Sequence, residues 1–196
     1  METAAPRRYT RLAIGLHWAV AVLIFANAGL ALSVNHWPDE WVRPVIDTHK
    51  SVGITVLGLV LLRILWRAGH PPPPLPQTYR PWERRVSHAA HGLLYLLILA
   101  MPITGWMHDS AWKEAASHPM RLFWTLPWPR IAAIEHLEPA LKEHLHDVFG
   151  AAHQACAWAL FALVALHVAG ALKHEIFDGE REIARMWPAS KAQGDR

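Results

Sequence analysis

Cysteine occurs once in the 196 residues, at Cys156. A lone thiol excludes an internal disulfide, and no Cys-x-x-Cys-His run is present to anchor a c-type haem. Charge is scarce too: Lys, Arg, Asp and Glu make up 18% of the chain against 53% hydrophobic residues. With a mean hydropathy of +0.11, that balance is too apolar for an ordinary soluble domain of this length. There is no glycine-rich phosphate loop, no internal repeat and no second soluble domain.

What is present is apolar sequence in four long runs, residues 13–34, 45–66, 88–107 and 148–172. Each is about 20 residues long, enough for a helix to cross a hydrocarbon core of about 30 Å. Backbone polar groups in lipid must be satisfied internally, so the runs read as helices. The expected fold is all-α: a four-helix transmembrane bundle forming a single membrane domain over residues 1–196. The first run is too long for the core of a signal peptide and is followed by three more spans. A proline-rich link, "RAGHPPPPLPQTYRPWERR", must be extended and cannot continue the second helix. Residues 108–146 hold "FWTLPWP" and "IEHLEPALKEHL" and are expected to form a long outer loop, an interfacial cap between helices 3 and 4.

Basic residues set the orientation. Thirteen flank the start of the first span, the link between the second and third spans, and the end of the fourth: Arg7, Arg8, Arg11, Arg63, Arg67, Arg80, Arg84, Arg85, Lys173, Arg181, Arg185, Lys191 and Arg196. Only Arg43, Lys50, Lys113, Arg121, Arg130 and Lys142 lie on the opposite side. The positive-inside rule then places both termini of this multi-pass chain in the cytoplasm. A pI near 9.3 is explained by that basic face beside anionic lipid, so no nucleic acid partner is implied.

Histidines sit inside these runs at matched depths. His17 lies toward the cytoplasmic end of the first helix and His49 toward the outer end of the second. On the fourth, His153 and His167 share a face fourteen residues and about 21 Å apart. The pairs are therefore His17 with His167 and His49 with His153. Ionisable residues at membrane depth are costly and usually functional. Zinc would draw three or four ligands into a tetrahedron, whereas two opposed imidazoles at one level suit a flat macrocycle with two axial positions, a b-type haem. Gly15, Gly53, Gly150 and Gly170, each within four residues of one of these histidines, would let a large planar group approach the backbone.

The stretches "RLAIGLHW", "THKSVGITVLGLVLLRILWR", "HAAHGLLYLLILAMPITGW" and "LHVAGALKH", with the trailing "RMWP", resemble the bacterial cytochrome b561 family, related to the cytochrome b subunits of nickel-iron hydrogenases. The resemblance covers about residues 9–188, and order and spacing make it specific. It implies His17, His49, His153 and His167 as axial ligands of two non-covalent haems b, in agreement with the depth pairing. His146, one heptad before His153, competes for the outer position but would lie about 10 Å further out. His174, one heptad after His167, is expected by the resemblance to hydrogen-bond a quinone carbonyl, with ubiquinone as acceptor. His88 and His91 open the third helix and are read as propionate contacts or interfacial polar residues. Lys50 is expected to pair with a propionate of the outer haem, and Arg63 and Arg67 to snorkel to the cytoplasmic boundary. His36, His70, His108, His118, His136 and His144 read as loop residues without metal.

The resulting expectation is a membrane protein passing electrons between an outer donor and membrane quinone, with lipid and quinone as its partners. The donor is either a redox protein or a small anion such as superoxide, drawn by Lys50, Arg43 and Arg121. Two other readings are a haem b anchor subunit of a dehydrogenase or hydrogenase, and a haem-free zinc or proton transporter. A b-type spectrum excludes the last, and a copurifying large subunit would favour the anchor.

Overall fold

The computed structural model describes residues 8–187. Four long helices dominate it: α1 Arg11–Ser33, α2 Asp39–Gly69, α3 Pro81–Ser110 and α5 Pro139–Ile176. Two short ones, α4 Ala132–Glu135 and α6 Glu182–Met186, sit in the connections. All four long helices are apolar and long enough to cross a membrane. Three of the four are started by a side chain that accepts from a first-turn or N-cap amide. Thr10 Oγ1 accepts from the Ala13 amide at the start of α1. Pro81 opens α3 while Glu83 accepts from the Arg80 amide at 2.8 Å. Pro139 opens α5, where Glu138 accepts from Ala140. Proline at the first helical turn costs no hydrogen bond, and these side chains satisfy amides that a helix start leaves orphaned. α2 stops at Gly69 because the prolines from Pro71 onward cannot continue it.

Packing is sequential: α1 lies on α2, α2 on α3, and α3 on α5. α5 makes no backbone packing of similar extent with α1 or α2, so the bundle interior stays open on that side. A small core of Val20, Val56 and Val60, flanked by Leu23, Leu59, Tyr95 and Ile98, knits the first three helices. Val22, Phe25, Leu62, Leu65, Leu96 and Trp158 are exposed on the protein's outside, the arrangement of a bundle whose solvent is lipid.

The terminal end of the bundle carries the start of α1, the α2–α3 link and the end of α5. Its parts are tied together: Arg8 donates to the Ala184 and Trp187 carbonyls, and Arg185 to those of Pro73 and Pro74. The loop end carries the α1–α2 turn and the α3–α5 connection. That connection is shorter than the expected 108–146, because residues 108–110 complete α3 and 139–146 begin α5. Between them, β1 Arg121–Leu122 pairs antiparallel with β2 Leu126–Pro127. The hairpin packs against the side of α2. Met120 and Leu122 pack on Ile54 together with Trp106 and Trp128. The Phe123 amide donates to Ser51 Oγ at 2.9 Å. Phe123 and Trp124 take φ of 47° and 60° at the tip, a left-handed conformation that costs bulky residues energy and persists where packing and anchoring compensate.

Candidate cofactor site

Across the open side of the bundle, two imidazole pairs face each other. His17 on α1 and His167 on α5 have ring centroids 6.5 Å apart with planes at 73°. His49 on α2 and His153 on α5 are 6.2 Å apart at 87°. Both pairs join α5 to a helix from which it otherwise stands off. All four rings are partly buried. A metal held by two opposed imidazoles at about 2 Å from each nitrogen needs centroids roughly 6 Å apart. The rings of each pair are thus suitably spaced to share one metal atom between two axial imidazoles. The residues present fit a haem at each pair.

The loop-end pair is held by a second layer of hydrogen bonds. His49 Nδ1 lies 3.1 Å from the Asn27 carbonyl, and His153 Nδ1 lies 3.0 Å from that of Met101. An Nδ1–H donated to a carbonyl fixes the ring and leaves Nε2 with its lone pair free, as in ligating histidines generally. The Thr104 hydroxyl also approaches His153 Nδ1, at 3.2 Å. Gly105 permits this: a Cβ there would lie 3.1 Å from His153 Cε1. At the terminal-end pair, neither ring makes a hydrogen bond among the described residues. His91 is the close neighbour instead, with its ring 5.2 Å from that of His167 and its Nδ1 2.7 Å from the Ser87 carbonyl.

Among the remaining histidines, two expected in the loop lie in long helices: His144 falls within α5, which starts at Pro139, and His108 within α3. His108 is not a loop residue; it lies in the last turn of α3 and stacks on His146 at 3.8 Å. Each donates through Nδ1 to the other's carbonyl, at 2.9 and 3.0 Å. His146 is therefore turned toward α3, away from the His49–His153 pair, and nothing local in the sequence announces a partner 38 residues away. Gly150 makes room for this stack, a Cβ there lying 3.0 Å from His108 Cε1, and not for a planar group beside His153. Gly53 faces Asn27, while Gly15 and Gly170 face open space. His70 stacks on Trp66 at 3.7 Å.

Lys50 also corrects its expectation. It is not free for a propionate, because its ammonium sits 3.0 Å from Asp47 and 2.9 Å from Asp109. Asp109 in turn binds Arg130 at 2.9 Å, and Arg43 reaches Asp47 at 3.3 Å. Arg130 is buried and also donates to the Ala115 carbonyl. This network ties the α3–α5 connection to the residue after His49. Sequence spacing could not reveal it, since Asp109 and Arg130 come from separate elements. Of the three cations expected to draw an anion, only Arg121 lacks a carboxylate partner among the described residues.

At the terminal end His174 Nδ1 lies 2.6 Å from Asp178, and its ring stacks on Tyr79 at 4.0 Å. Lys173 bridges Asp178 and Glu83 at 2.7 and 2.8 Å. The Lys173 and His174 contacts hold the Asp178 carboxyl below its usual range. Burial and nearby Glu182 push the Tyr79 hydroxyl up, so it stays protonated. The group offers an imidazole held by a carboxylate and steadied by an aromatic face.

A family model described as prokaryotic cytochrome b561 matches residues 8–189. The chain belongs to the prokaryotic cytochrome b561 family. This cytochrome is 31% identical over 187 residues to cytochrome b561 homolog 2 of Escherichia coli (strain K12), covering 94% of this chain and 93% of that one. It is 27% identical to the probable superoxide oxidase CybB of Yersinia pestis over 94% of this chain and 98% of the relative. A shorter match, 36% identical, is to cytochrome b562 of Cereibacter sphaeroides, over 53% of this chain and 70% of the relative. Membership makes it a bacterial membrane protein of electron transfer and implies haem b as its cofactor.

Proposed function

We propose that the protein is a di-haem cytochrome b moving electrons across the membrane from a small donor at the loop end to ubiquinone at the terminal end. His17 with His167, and His49 with His153, hold the two haems. The observation that carries this reading is the near-equal centroid separation of the two pairs, 6.5 and 6.2 Å, each joining α5 to a helix on which it does not otherwise pack. Bound haem b supplies one-electron chemistry by cycling its iron between two oxidation states.

The chain's own residues do the rest. The carbonyls of Asn27 and Met101 orient His49 and His153, fixing which nitrogen faces inward. The helices and their lipid-facing apolar residues exclude water from the interior. The terminal end faces the cytoplasm by the excess of basic residues there, so donor and acceptor are on opposite faces of the inner membrane. His174 donates its Nε2–H to a quinone carbonyl while Asp178 stabilises the imidazolium. The donor is taken to be superoxide, the substrate in the name of the Yersinia pestis relative. Two superoxide anions lose one electron each and leave as dioxygen; ubiquinone takes both electrons and two protons and leaves as quinol.

Stopped-flow mixing of the purified cytochrome with superoxide, followed by ubiquinone, tests this order. Reduction of the b-type bands and their reoxidation by quinone are expected. Bands that stay oxidised on exposure to superoxide would remove it as the donor, and reduced bands unaffected by ubiquinone would remove the acceptor.

A further inference from the structure

Two arginines at the terminal end carry charge that the protein does not balance. Arg63 and Arg67 follow each other by one turn on α2, both half-buried, and neither meets a carboxylate within ion-pair distance among the described residues. Arg63 is held in place by neutral groups: its Nε donates to the Tyr95 hydroxyl at 2.9 Å and its Nη1 to the Ala13 carbonyl at 3.3 Å. The guanidinium carbons of Arg63 and Arg67 lie 5.8 and 5.6 Å from the centre of the Tyr95 ring. The two side chains line one cleft with Tyr9, Trp66 and Tyr95, and no acidic residue lines it.

Its position gives the cleft a purpose. Ala13 lies one turn of α1 to the terminal side of His17, about 6 Å along the axis, and Tyr95 lies one turn of α3 to the loop side of His91, whose ring is 5.2 Å from that of His167. Arg63, held between Ala13 and Tyr95, therefore sits at the level of the His17–His167 pair, with Arg67 one turn nearer the terminal end. Charged side chains at membrane depth pair with something, and a guanidinium favours a two-oxygen anion such as a carboxylate. Snorkelling alone does not account for Arg63, whose fork is fixed inward by Tyr95 and Ala13.

We propose that Arg63, steadied by Tyr95 and Ala13 and assisted by Arg67, binds the propionate carboxylates of the terminal-end haem and holds that haem at a raised reduction potential. This rests on the axial-ligand reading above. The physics is direct: a fixed cation beside the haem carboxylates favours the reduced state, which carries one positive charge less. Arg63 is a positioning residue, acting on the iron through the macrocycle's own carboxylates.

The test is an equilibrium redox titration of purified holoprotein, wild type against Arg63→Gln and Arg63→Lys, with haem content measured on each. Arg63→Gln is expected to keep its haems while one of two one-electron components becomes at least tenfold harder to reduce, 59 mV. Arg63→Lys should recover part of the shift. With haem carboxyl groups labelled with carbon-13 by biosynthesis, the labelled carboxylate band in the redox infrared difference spectrum should move in Arg63→Gln. An unchanged potential and an unmoved label overturn the proposal. So does a loss of bound phospholipid phosphorus in Arg63→Gln with the labelled band unmoved, which would give the cleft to a lipid headgroup. His17→Ala, run in parallel, separates the two levels. If it keeps every haem, the ligand reading fails, while the labelled band still reports on Arg63.

Discussion

The two histidine pairs have nearly the same span and very different surroundings. At the loop end His49 and His153 each give Nδ1 to a main-chain carbonyl, Thr104 and Gly105 fit against His153, and an ion-paired network clamps the connection above. At the terminal end His17 and His167 have no such tethers; a third imidazole and uncompensated arginines stand beside them. Shape alone would make the two centres equivalent, so the difference lies in the groups around the rings. Donation of Nδ1–H to a carbonyl strengthens an imidazole as a ligand and favours the oxidised iron, whereas nearby cations favour the reduced iron. The loop-end centre should therefore have the lower potential, and electrons should run downhill toward the terminal end.

The largest expected effect breaks the pairing itself. His49→Ala or His153→Ala should remove the loop-end haem and spare the other, and His17→Ala or His167→Ala should do the reverse, read as pyridine haemochrome per chain. His146→Ala should retain both haems, because its ring is engaged with His108. Loss of a haem in that variant would mean that the register on α5 is wrong.

Next in size is the clamp beside His49. Asp109→Ala strands buried Arg130 and leaves Lys50 with Asp47 alone; removing one partner of a buried pair typically costs about 3–5 kcal/mol. Thermal unfolding in detergent should show the loss. The loop-end bands should broaden or shift while the terminal-end bands stay put. Equal disturbance of both centres would contradict the separation drawn between the two ends.

His174→Leu sharpens the comparison from the other side. It should keep both haems and normal reduction by the donor, and slow quinone reduction by at least tenfold. Unchanged quinone turnover would take His174 out of the exit site.

Fold and site were not equally legible in the sequence. The four spans followed from length and hydropathy because lipid permits few alternatives, and the depth pairing of the histidines followed from the helical rise alone. What the sequence could not show depended on contacts between distant segments. The docking of the hairpin on α2 depends on Phe123 meeting Ser51, 72 residues away. Lys50 is taken by Asp109 from another helix. His108 read as a loop residue because the apolar run stops at 107, although the helix continues to Ser110. The terminal arginines read as snorkelling cations because only the fold puts Tyr95 and Ala13 around Arg63.

A smaller effect tests the hydrogen-bonded half of the contrast. Thr104→Val removes one hydroxyl near His153 Nδ1 and should shift only the loop-end potential, by less than the Arg63→Gln change at the other centre. The near-perpendicular ring planes, 73° and 87°, should appear in both centres as strongly anisotropic low-spin EPR signals of the oxidised protein.

The measurement closest to the central claim is the haem-to-chain ratio of the purified protein, taken with that of His49→Ala and of His17→Ala. Two non-covalent, low-spin haems b per chain are expected, extractable with acidified acetone, falling to one in each variant with a different component of the redox titration lost each time. A ratio near one in the wild type, or loss of the same component in both variants, would contradict two centres built on two histidine pairs.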